Sequence, residues 1–175
     1  VAAMGAMPLL PACFSPKGYA ANGKVRLAAI GIGCQAWYDI QQLWATDLCN
    51  VVALCDTDLG GEQTLNALNA FPKAKLYRDF RAMFDEMADE IDAVLVATNL
   101  HWHPYVTLLA IKHGKHVFQE KPIAPTAEEG RLIVEAAKKK GVTLQIGFQR
   151  RNELNFQGAA ELALNGELGE IKEVR

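Results

Sequence analysis

The stretch Leu27-Ala-Ala-Ile-Gly31-Ile-Gly33-Cys-Gln-Ala36 decides the predicted fold, because a short apolar run leads directly into a glycine-rich turn and then a helix-compatible segment. Gly31 permits a tight turn, Gly33 lets the backbone approach a pyrophosphate, and Ala36 keeps the helix close to the strand. The first N–H groups of such a helix favour phosphate oxygens. We therefore predict a dinucleotide site with contacts from Gly31, Ile32, Gly33, Cys34, Gln35 and Ala36. A purely structural turn is the alternative.

An acidic residue further along the chain supports the nucleotide interpretation. Asp56 follows the second apolar run, residues 51–55, and stands about 20 residues beyond Ala36. A carboxylate there accepts hydrogen bonds from both hydroxyls of an adenosine ribose and repels a 2′-phosphate. The sequence therefore predicts NAD as the cofactor in preference to NADP, with Asp58 as the alternative ribose ligand.

The rest of the chain alternates short apolar runs with helix-compatible segments. The pattern predicts strands at residues 25–30, 51–55, 75–77, 91–97, 116–118 and 142–148, and helices at 35–46, 59–70, 80–87, 104–113, 126–140 and 152–164. Thr126 and Glu129 form a predicted capping box. Such alternation indicates βαβ units with right-handed crossovers, and we predict an α/β fold with a Rossmann-like, doubly wound parallel sheet.

The 175 residues suggest one domain and a remainder, at about 150 residues per domain. We predict a leader and linker over residues 1–23, a dinucleotide-binding domain over 24–150, and a hinge helix with a first strand over 151–175. The last part is expected to begin an incomplete α/β substrate domain, because residues 170–175 alternate with the period of a half-buried strand and have no partner strand.

Composition excludes several classes of protein. Half of the residues are hydrophobic and 22% are charged, which excludes disordered and collagen-like chains. A formal net charge of −2 gives no electrostatic reason to expect nucleic acid or an anionic membrane as a partner. The longest apolar stretches are well below the roughly 18 residues of a membrane-spanning helix, so none is predicted.

The cysteines predict neither a zinc site nor a redox motif, because no CxxC occurs and the histidines are not interleaved with them. Cys34, Cys49 and Cys55 are expected to be small buried hydrophobes. Cys13 instead ends an uncharged apolar segment, and Leu10-Pro-Ala-Cys13 resembles a bacterial lipobox. The location stays open between a periplasmic or lipid-anchored protein, if the leader is a signal remnant, and a cytoplasmic one.

Three further motifs follow predicted strands. They are Thr98-Asn-Leu-His101-Trp-His103, Glu120-Lys121-Pro122 and Gly147-Phe-Gln-Arg150-Arg151. Ligands of open α/β sheets bind at the carboxyl ends of the strands, so we predict that Thr98, Asn99, His101, His103, Glu120 and Arg150 also contact the cofactor. The alternatives are a His103 that caps the next helix, a surface ion pair at Lys121, and solvated arginines.

These motifs, taken in order over roughly residues 24–175, resemble the Gfo/Idh/MocA family of NAD(P)-dependent oxidoreductases. The Glu120-Lys121-Pro122 motif is its specific part. The resemblance implies that Lys121 is the catalytic lysine that touches the reacting hydroxyl and the nicotinamide ribose. It also implies a Lys121–Pro122 bond that is often cis, a sugar or cyclic polyol substrate, and a homo-oligomeric full-length protein.

The chain departs from the family pattern at three points. Ala36 replaces the third glycine, and Asn99-Leu100 stands where the family has Pro-[Asn/Asp], so a polar cofactor contact expected at position 100 is missing. The family's second catalytic group, an Asp/His pair, is expected beyond Arg175.

The expected function is hydride transfer between a substrate carbinol and NAD, with Lys121 assisting proton removal. The leader and His101-Trp-His103 also resemble the family's secreted branch, in which some members recycle bound NAD during glycosidic cleavage. An NAD-recycling glycosidase and a nucleotide-binding protein without catalysis are the alternatives.

Overall fold

One six-stranded parallel sheet organises the computed structural model, which describes residues 23–173. The strands are β1 (Val25–Ile30), β2 (Cys49–Cys55), β3 (Lys75–Tyr77), β4 (Ala93–Val96), β5 (His116–Glu120) and β6 (Leu144–Gly147). Their spatial order is β3-β2-β1-β4-β5-β6. The order reverses between β1 and β4, which is the point where open α/β sheets form a ligand crevice. The predicted fold class is confirmed.

Six α-helices occur in the described residues. They are α1 (Cys34–Ala45), α2 (Leu65–Ala70), α3 (Phe80–Met87), α4 (His103–Lys112), α5 (Ala127–Lys140) and α6 (Leu154–Leu164). The predicted capping box is confirmed at the start of α5, where the Thr126 side chain accepts from the Glu129 N–H and the Glu129 carboxylate accepts from the Thr126 N–H. None of these helices is long and apolar enough to cross a bilayer.

The apolar core forms two layers because successive residues of a strand face opposite sides of the sheet. Ala28 and Ile30 of β1 pack in one cluster, with residues of α3, α4 and α5. Leu27 and Ala29 pack in the other, with residues of α1 and α2. Both faces of the sheet are therefore covered by helices, and polar functional groups are left to the edges.

The helix predicted for residues 59–70 begins only at Leu65, and turns occupy residues 57–64. The Thr64 hydroxyl donates to the Asp58 and Gly61 carbonyl oxygens, at 2.9 Å each, and Gly60 has a φ of +96°. These local hydrogen bonds stabilise turns in place of the helix that the apolar pattern predicts, so the helix starts later.

The predicted strand at residues 170–175 is wrong over its described part, since residues 170–173 are not in a strand. A strand needs a neighbour for its backbone groups, and β6 pairs with β5 alone among the described residues. Residues 174 and 175 lie outside the described residues, as do Cys13 and most of the predicted leader.

The hinge helix predicted after residue 150 corresponds to α6. It has no buried residue, and its Leu154 and Leu164 side chains are 81% and 85% exposed. The division of the chain at residue 150 stays a prediction.

Candidate functional site

Each predicted motif follows the carboxyl end of a strand, and parallel strands bring these ends to one edge of the sheet. Gly31 follows β1, Asp56 follows β2, and Lys121 follows β5. Thr98 lies two residues beyond β4, and Phe148 directly follows β6. The fold thus gathers residues that are far apart in sequence along a single edge, on both sides of the switch point.

The glycine turn is held by its closeness to Ala97, the residue that follows β4. Gly31 has a φ of +78°, and its N–H donates to the Cys55 carbonyl oxygen over 2.9 Å. A Cβ placed on Gly31 would lie 2.5 Å from the Ala97 carbonyl oxygen. Both the dihedral angle and the close approach require glycine here. Cys34, the first residue of α1, is exposed, so the prediction that it is buried is wrong, whereas Cys49 and Cys55 are buried as predicted. Cys34 also has a positive φ, of 45°.

Asp56 connects the end of β2 to this turn. Its Oδ2 accepts a hydrogen bond from the Ile32 N–H over 3.0 Å, and its Oδ1 accepts from the Asp58 N–H over 3.0 Å. Asp56 is half-buried, and these bonds hold its carboxylate beside the glycine turn. A carboxylate at this place is the group that binds the ribose hydroxyls in dinucleotide-binding folds. Asp58 is exposed on the following turn.

The motif after β4 divides into exposed and buried residues. Thr98 is half-buried, and Asn99 and His101 are exposed, so these three are accessible at the edge. His103 is only 2% exposed, with its Nδ1 2.8 Å from the Pro122 carbonyl oxygen and its Nε2 3.0 Å from that of Thr98. Its ring ties the loops after β4 and β5 together, and both ring nitrogens are occupied within the protein. The predicted cofactor contact of His103 stays a prediction, and what the structure shows is this supporting role.

Gln119 in β5 is a member of the site that the sequence reading missed. It is fully buried, its Oε1 accepts from the Thr107 hydroxyl over 2.7 Å, and its Nε2 lies 3.1 Å and 2.9 Å from the Pro122 and Ile123 carbonyl oxygens. Gln119 therefore holds the loop that carries Lys121. Gln119 could be recognised in the sequence because it is a glutamine within an apolar strand, directly before Glu120-Lys121-Pro122.

The Glu120-Lys121-Pro122 motif turns from the interior to the surface. Glu120 is 7% exposed, and its Oε2 accepts from the Lys121 N–H over 3.0 Å. Lys121 itself is exposed, and the Lys121–Pro122 bond is cis, as expected. A Cβ on Gly147 would lie 2.6 Å from Glu120 Oε1, so β6 closes tightly over the Glu120 carboxyl group. The predicted contact of Glu120 with the cofactor stays a prediction.

Asp39 on α1 is a second member that the sequence reading missed. It is 8% exposed, and burial raises the pKa of its carboxyl group to about 6. The nearby Glu120 carboxyl raises that pKa further, while a hydrogen bond from Gln35 and the charge of Lys121 lower it. A polar residue directly before Ile40, three positions beyond Ala36 on the buried face of α1, is the signal that could have identified it.

The arginines after β6 are exposed and stack on aromatic rings. The Arg150 guanidinium lies 5.1 Å from the centre of the Phe156 ring, and that of Arg151 lies 5.2 Å from the centre of the Phe148 ring. Their predicted role towards an anionic group stays a prediction.

A separate feature of the described residues lies away from this edge of the sheet. A cavity of about 400 Å³ lies between the C-terminal halves of α4 and α5, lined by Leu108, Ile111, Lys112, Ala136, Lys139 and Lys140. Those helix ends lie towards the opposite edge of the sheet from Lys121. Within residues 23–173, no three His, Cys, Asp or Glu side chains come together as a possible metal site.

The strand order, the glycine turn at the switch point and Asp56 beside it define a dinucleotide-binding domain of the Rossmann type. Residues 25–148 match the family model described as an oxidoreductase family with an NAD-binding Rossmann fold. This match extends over more than half of the chain. The chain therefore belongs to the Gfo/Idh/MocA family, as the motifs predict.

Three known proteins illustrate the relationship. The chain is 34% identical over 155 residues to the D-glucoside 3-dehydrogenase of Escherichia coli K12, covering 86% of this chain and 42% of that protein. It is 35% identical over 101 residues to the scyllo-inositol 2-dehydrogenase (NADP(+)) of Bacillus subtilis, covering 58% of this chain and 28% of that protein.

The third is the solved structure of the WlbA dehydrogenase of Bordetella pertussis in complex with NADH and UDP-GlcNAcA. It superposes with a TM-score of 0.73 at 27% identity, covering 85% of this chain and 45% of that one. The chain spans less than half the length of each of these three proteins.

Proposed function

We propose that the protein carrying this chain is an NAD-dependent oxidoreductase that transfers a hydride between a sugar or cyclic polyol and a nicotinamide cofactor. The observation that carries the proposal is an exposed lysine, Lys121, anchored by a buried glutamate at the edge where the glycine turn lies. The substrate class is supported by the names of the relatives, which are glucoside and inositol dehydrogenases.

The residues around the glycine turn fit a dinucleotide. Helix α1 begins after Gly33 with no side chain capping it, so its first N–H groups face the turn without a side-chain acceptor. Such groups bind phosphate oxygens, and the two glycines let a pyrophosphate approach the backbone. Gly31, Ile32, Gly33, Cys34, Gln35 and Ala36 would line the pyrophosphate, with Thr98, Asn99 and His101 on the far side of the crevice.

NAD rather than NADP is the cofactor in this proposal. The carboxylate of Asp56 beside Ile32 supports the preference, because a second negative charge on the ribose would be repelled there. The relatives leave both cofactors possible, since one name includes NADP(+) and one structure contains NADH.

The cofactor, Lys121 and the residues that hold Lys121 have different proposed roles in the reaction. When bound, NAD supplies the carbon that accepts a hydride from the substrate carbinol. Lys121 Nζ hydrogen-bonds the reacting hydroxyl and assists removal of its proton. Glu120 fixes the backbone of Lys121 through its Oε2, while Gln119 and His103 hold the carbonyl oxygens of the same loop.

The proposal extends to the rest of the full-length protein. Residues 151–175 would begin a substrate-binding domain, and the full-length protein would be a homo-oligomer. These two statements rest on the family resemblance and on the share of the relatives that the chain spans.

The test is Lys121→Ala in the protein that carries this chain, with NADH formation followed on glucosides and cyclic polyols. We expect turnover to fall by about 10²-fold or more, because a positioned acid–base group contributes about that much. NAD binding, measured by fluorescence titration, should be retained and should change far less than turnover. Lys112→Ala, an exposed lysine in α4, is the matched control and should leave both unchanged.

Unchanged turnover in Lys121→Ala would remove the lysine from the mechanism. Cleavage of a glucoside with tightly bound NAD and without net NADH release would support the NAD-recycling glycosidase instead. NAD binding with no turnover of either kind would support a nucleotide-binding protein without catalysis.

A further inference from the structure

The loop that follows β2, residues 57–64, packs against the glycine turn. Gln63 Cβ lies 3.2 Å from the place that a Cβ on Gly33 would take, and the Gln63 carbonyl oxygen lies 3.4 Å from it. Contacts this short leave little room for a side chain at position 33. The missing side chain of Gly33 therefore admits this loop, and Gln63 lies directly beside the residues that would line a pyrophosphate.

The side chain of Gln63 is bonded to the same turn. The thiol of Cys34, the first residue of α1, donates a hydrogen bond to Gln63 Oε1 over 3.3 Å. An amide accepts only through its oxygen, so a thiol donor directs Oε1 towards Cys34 and leaves the two N–H donors of Nε2 for another acceptor. The free end of the amide is thus held at the start of α1.

Two groups outside the loop keep it in this place. The Asp56 carboxylate joins the glycine turn to the loop, because it accepts from a backbone N–H of each. The Arg78 guanidinium, directly after β3, donates to the Thr57 and Leu59 carbonyl oxygens over 2.6 Å and 3.1 Å. A loop that is already held in position loses little entropy when a ligand binds to it.

The chemistry of Gln63 differs from that of the other loop residues. It is the one side chain of residues 57–64 that offers N–H donors. Asp58 and Glu62 are exposed acids, whose charge disfavours a phosphate nearby. Gln63 is exposed as well, so a bound nucleotide can reach its amide. A neutral donor beside the first N–H groups of α1 is the type of group that a pyrophosphate oxygen accepts from.

We propose that Gln63 is a cofactor-binding residue, and that its Nε2 donates a hydrogen bond to a pyrophosphate oxygen of the bound dinucleotide. The N–H groups of α1 bind the same pyrophosphate from the glycine turn, and Gln63 binds it from the loop after β2. The Cys34 thiol orients the amide for this role, because it occupies Oε1. The inference rests on the proposed dinucleotide cofactor and is independent of Lys121 and of the substrate.

The test uses the protein that carries this chain and two ligands, ADP and adenosine, which differ only in the diphosphate. Binding is measured by isothermal titration calorimetry, with competition against ADP for the weaker ligand. Gln63→Ala should weaken ADP binding about 10-fold, as expected for one hydrogen bond to a charged group, and leave adenosine binding unchanged. Asn66→Ala, which removes an exposed amide from α2, is the matched control and should leave both unchanged.

Gln63→Glu tests the orientation of the amide with almost no change of shape. A carboxylate keeps one oxygen for the Cys34 thiol, but it turns its second oxygen towards the pyrophosphate in place of the N–H donors. ADP should therefore bind at least about 10-fold more weakly to Gln63→Glu than to Gln63→Ala, and added salt should reduce this difference. Asn66→Asp is the control for an added charge near the loop and should weaken ADP binding much less.

Several results would overturn the inference. Unchanged ADP affinity in Gln63→Ala would remove the contact, and equal losses for ADP and adenosine would make Gln63 a purely structural loop residue. Equal ADP affinities of Gln63→Glu and Gln63→Ala would refute the orientation set by Cys34. An unmodified protein that binds neither ADP nor NAD would overturn the inference together with the proposed function. NAD binding without turnover of any sugar or polyol, with the expected losses at Gln63, would support the inference and contradict the proposed function alone.

Discussion

The two halves of the crevice edge are built in different ways. On the side of β1 and β2, the glycine turn and Asp56 present backbone N–H groups and a half-buried carboxylate. On the side of β5, the groups that hold Lys121 are side chains, and they are almost completely buried: Gln119, Glu120 and His103 are 0%, 7% and 2% exposed.

This difference has a physical cause. A backbone N–H is present whatever the side chain, so the first half depends on dihedral angles and on close approach of the chain to itself. The second half depends on side-chain polar groups away from water, each of which needs a partner from another element. Substitutions should therefore act through backbone geometry on one side and through lost hydrogen bonds on the other.

The largest effect is expected for Gly31→Ala. Its φ of +78° is unfavourable for alanine, and the added Cβ would lie 2.5 Å from the Ala97 carbonyl oxygen, a backbone atom that cannot rotate away. We expect a loss of about 2–4 kcal/mol in the free energy of unfolding, measured with urea, together with loss of NAD binding.

Gly141→Ala is the matched control for this substitution. Gly141 has a similar φ of +71°, but a Cβ there would meet no atom within 4 Å. Gly141→Ala should lower the free energy of unfolding by about 1 kcal/mol, from the dihedral angle alone. Equal losses in the two variants would show that the close approach to Ala97, directly after β4, does not set the geometry of the turn.

A smaller effect is expected on the other side, for His103→Ala. This change leaves the Thr98 and Pro122 carbonyl oxygens without the imidazole ring and opens a buried space. The free energy of unfolding should fall by about 2–3 kcal/mol. His101→Ala, two residues earlier and exposed, should cost less than about 0.5 kcal/mol. If both histidines behave alike, the contrast between the two halves does not hold.

The smallest effect is expected for Asp56→Asn, on the side of β1 and β2. The amide keeps an oxygen for the Ile32 N–H but removes the charge that binds the ribose hydroxyls. NAD affinity should fall about 10-fold, which corresponds to a charge-assisted hydrogen bond, and NADP affinity should not fall. Fluorescence titration of both cofactors measures this, with Asp58→Asn as the control. Equal affinity of the unmodified chain for NAD and NADP would refute the role of Asp56.

The two sides of the crevice edge also differ in how much of them could be predicted from the sequence. The glycine turn, Asp56 and the position of Lys121 were predictable, because each follows a short apolar run whose period identifies a strand. Asp39 and Gln119 stand out as lone polar residues in apolar patterns, but their surroundings were not predictable, because such a pattern gives no indication of which distant residue a side chain meets. Thr64 was missed for a related reason, since its hydroxyl bonds to Asp58 and Gly61 shorten the predicted helix.

The sequence by itself determined the class of fold, the order of the motifs and their placement at the carboxyl ends of strands, since hydrophobic period and glycine position act over a few neighbouring residues. Only the tertiary structure decided that His103 is buried between two loops and that Gln119 meets the Pro122 and Ile123 carbonyl oxygens. These contacts join residues from different elements. Their energies depend on burial and on partners that arise only when the sheet and its helices pack together.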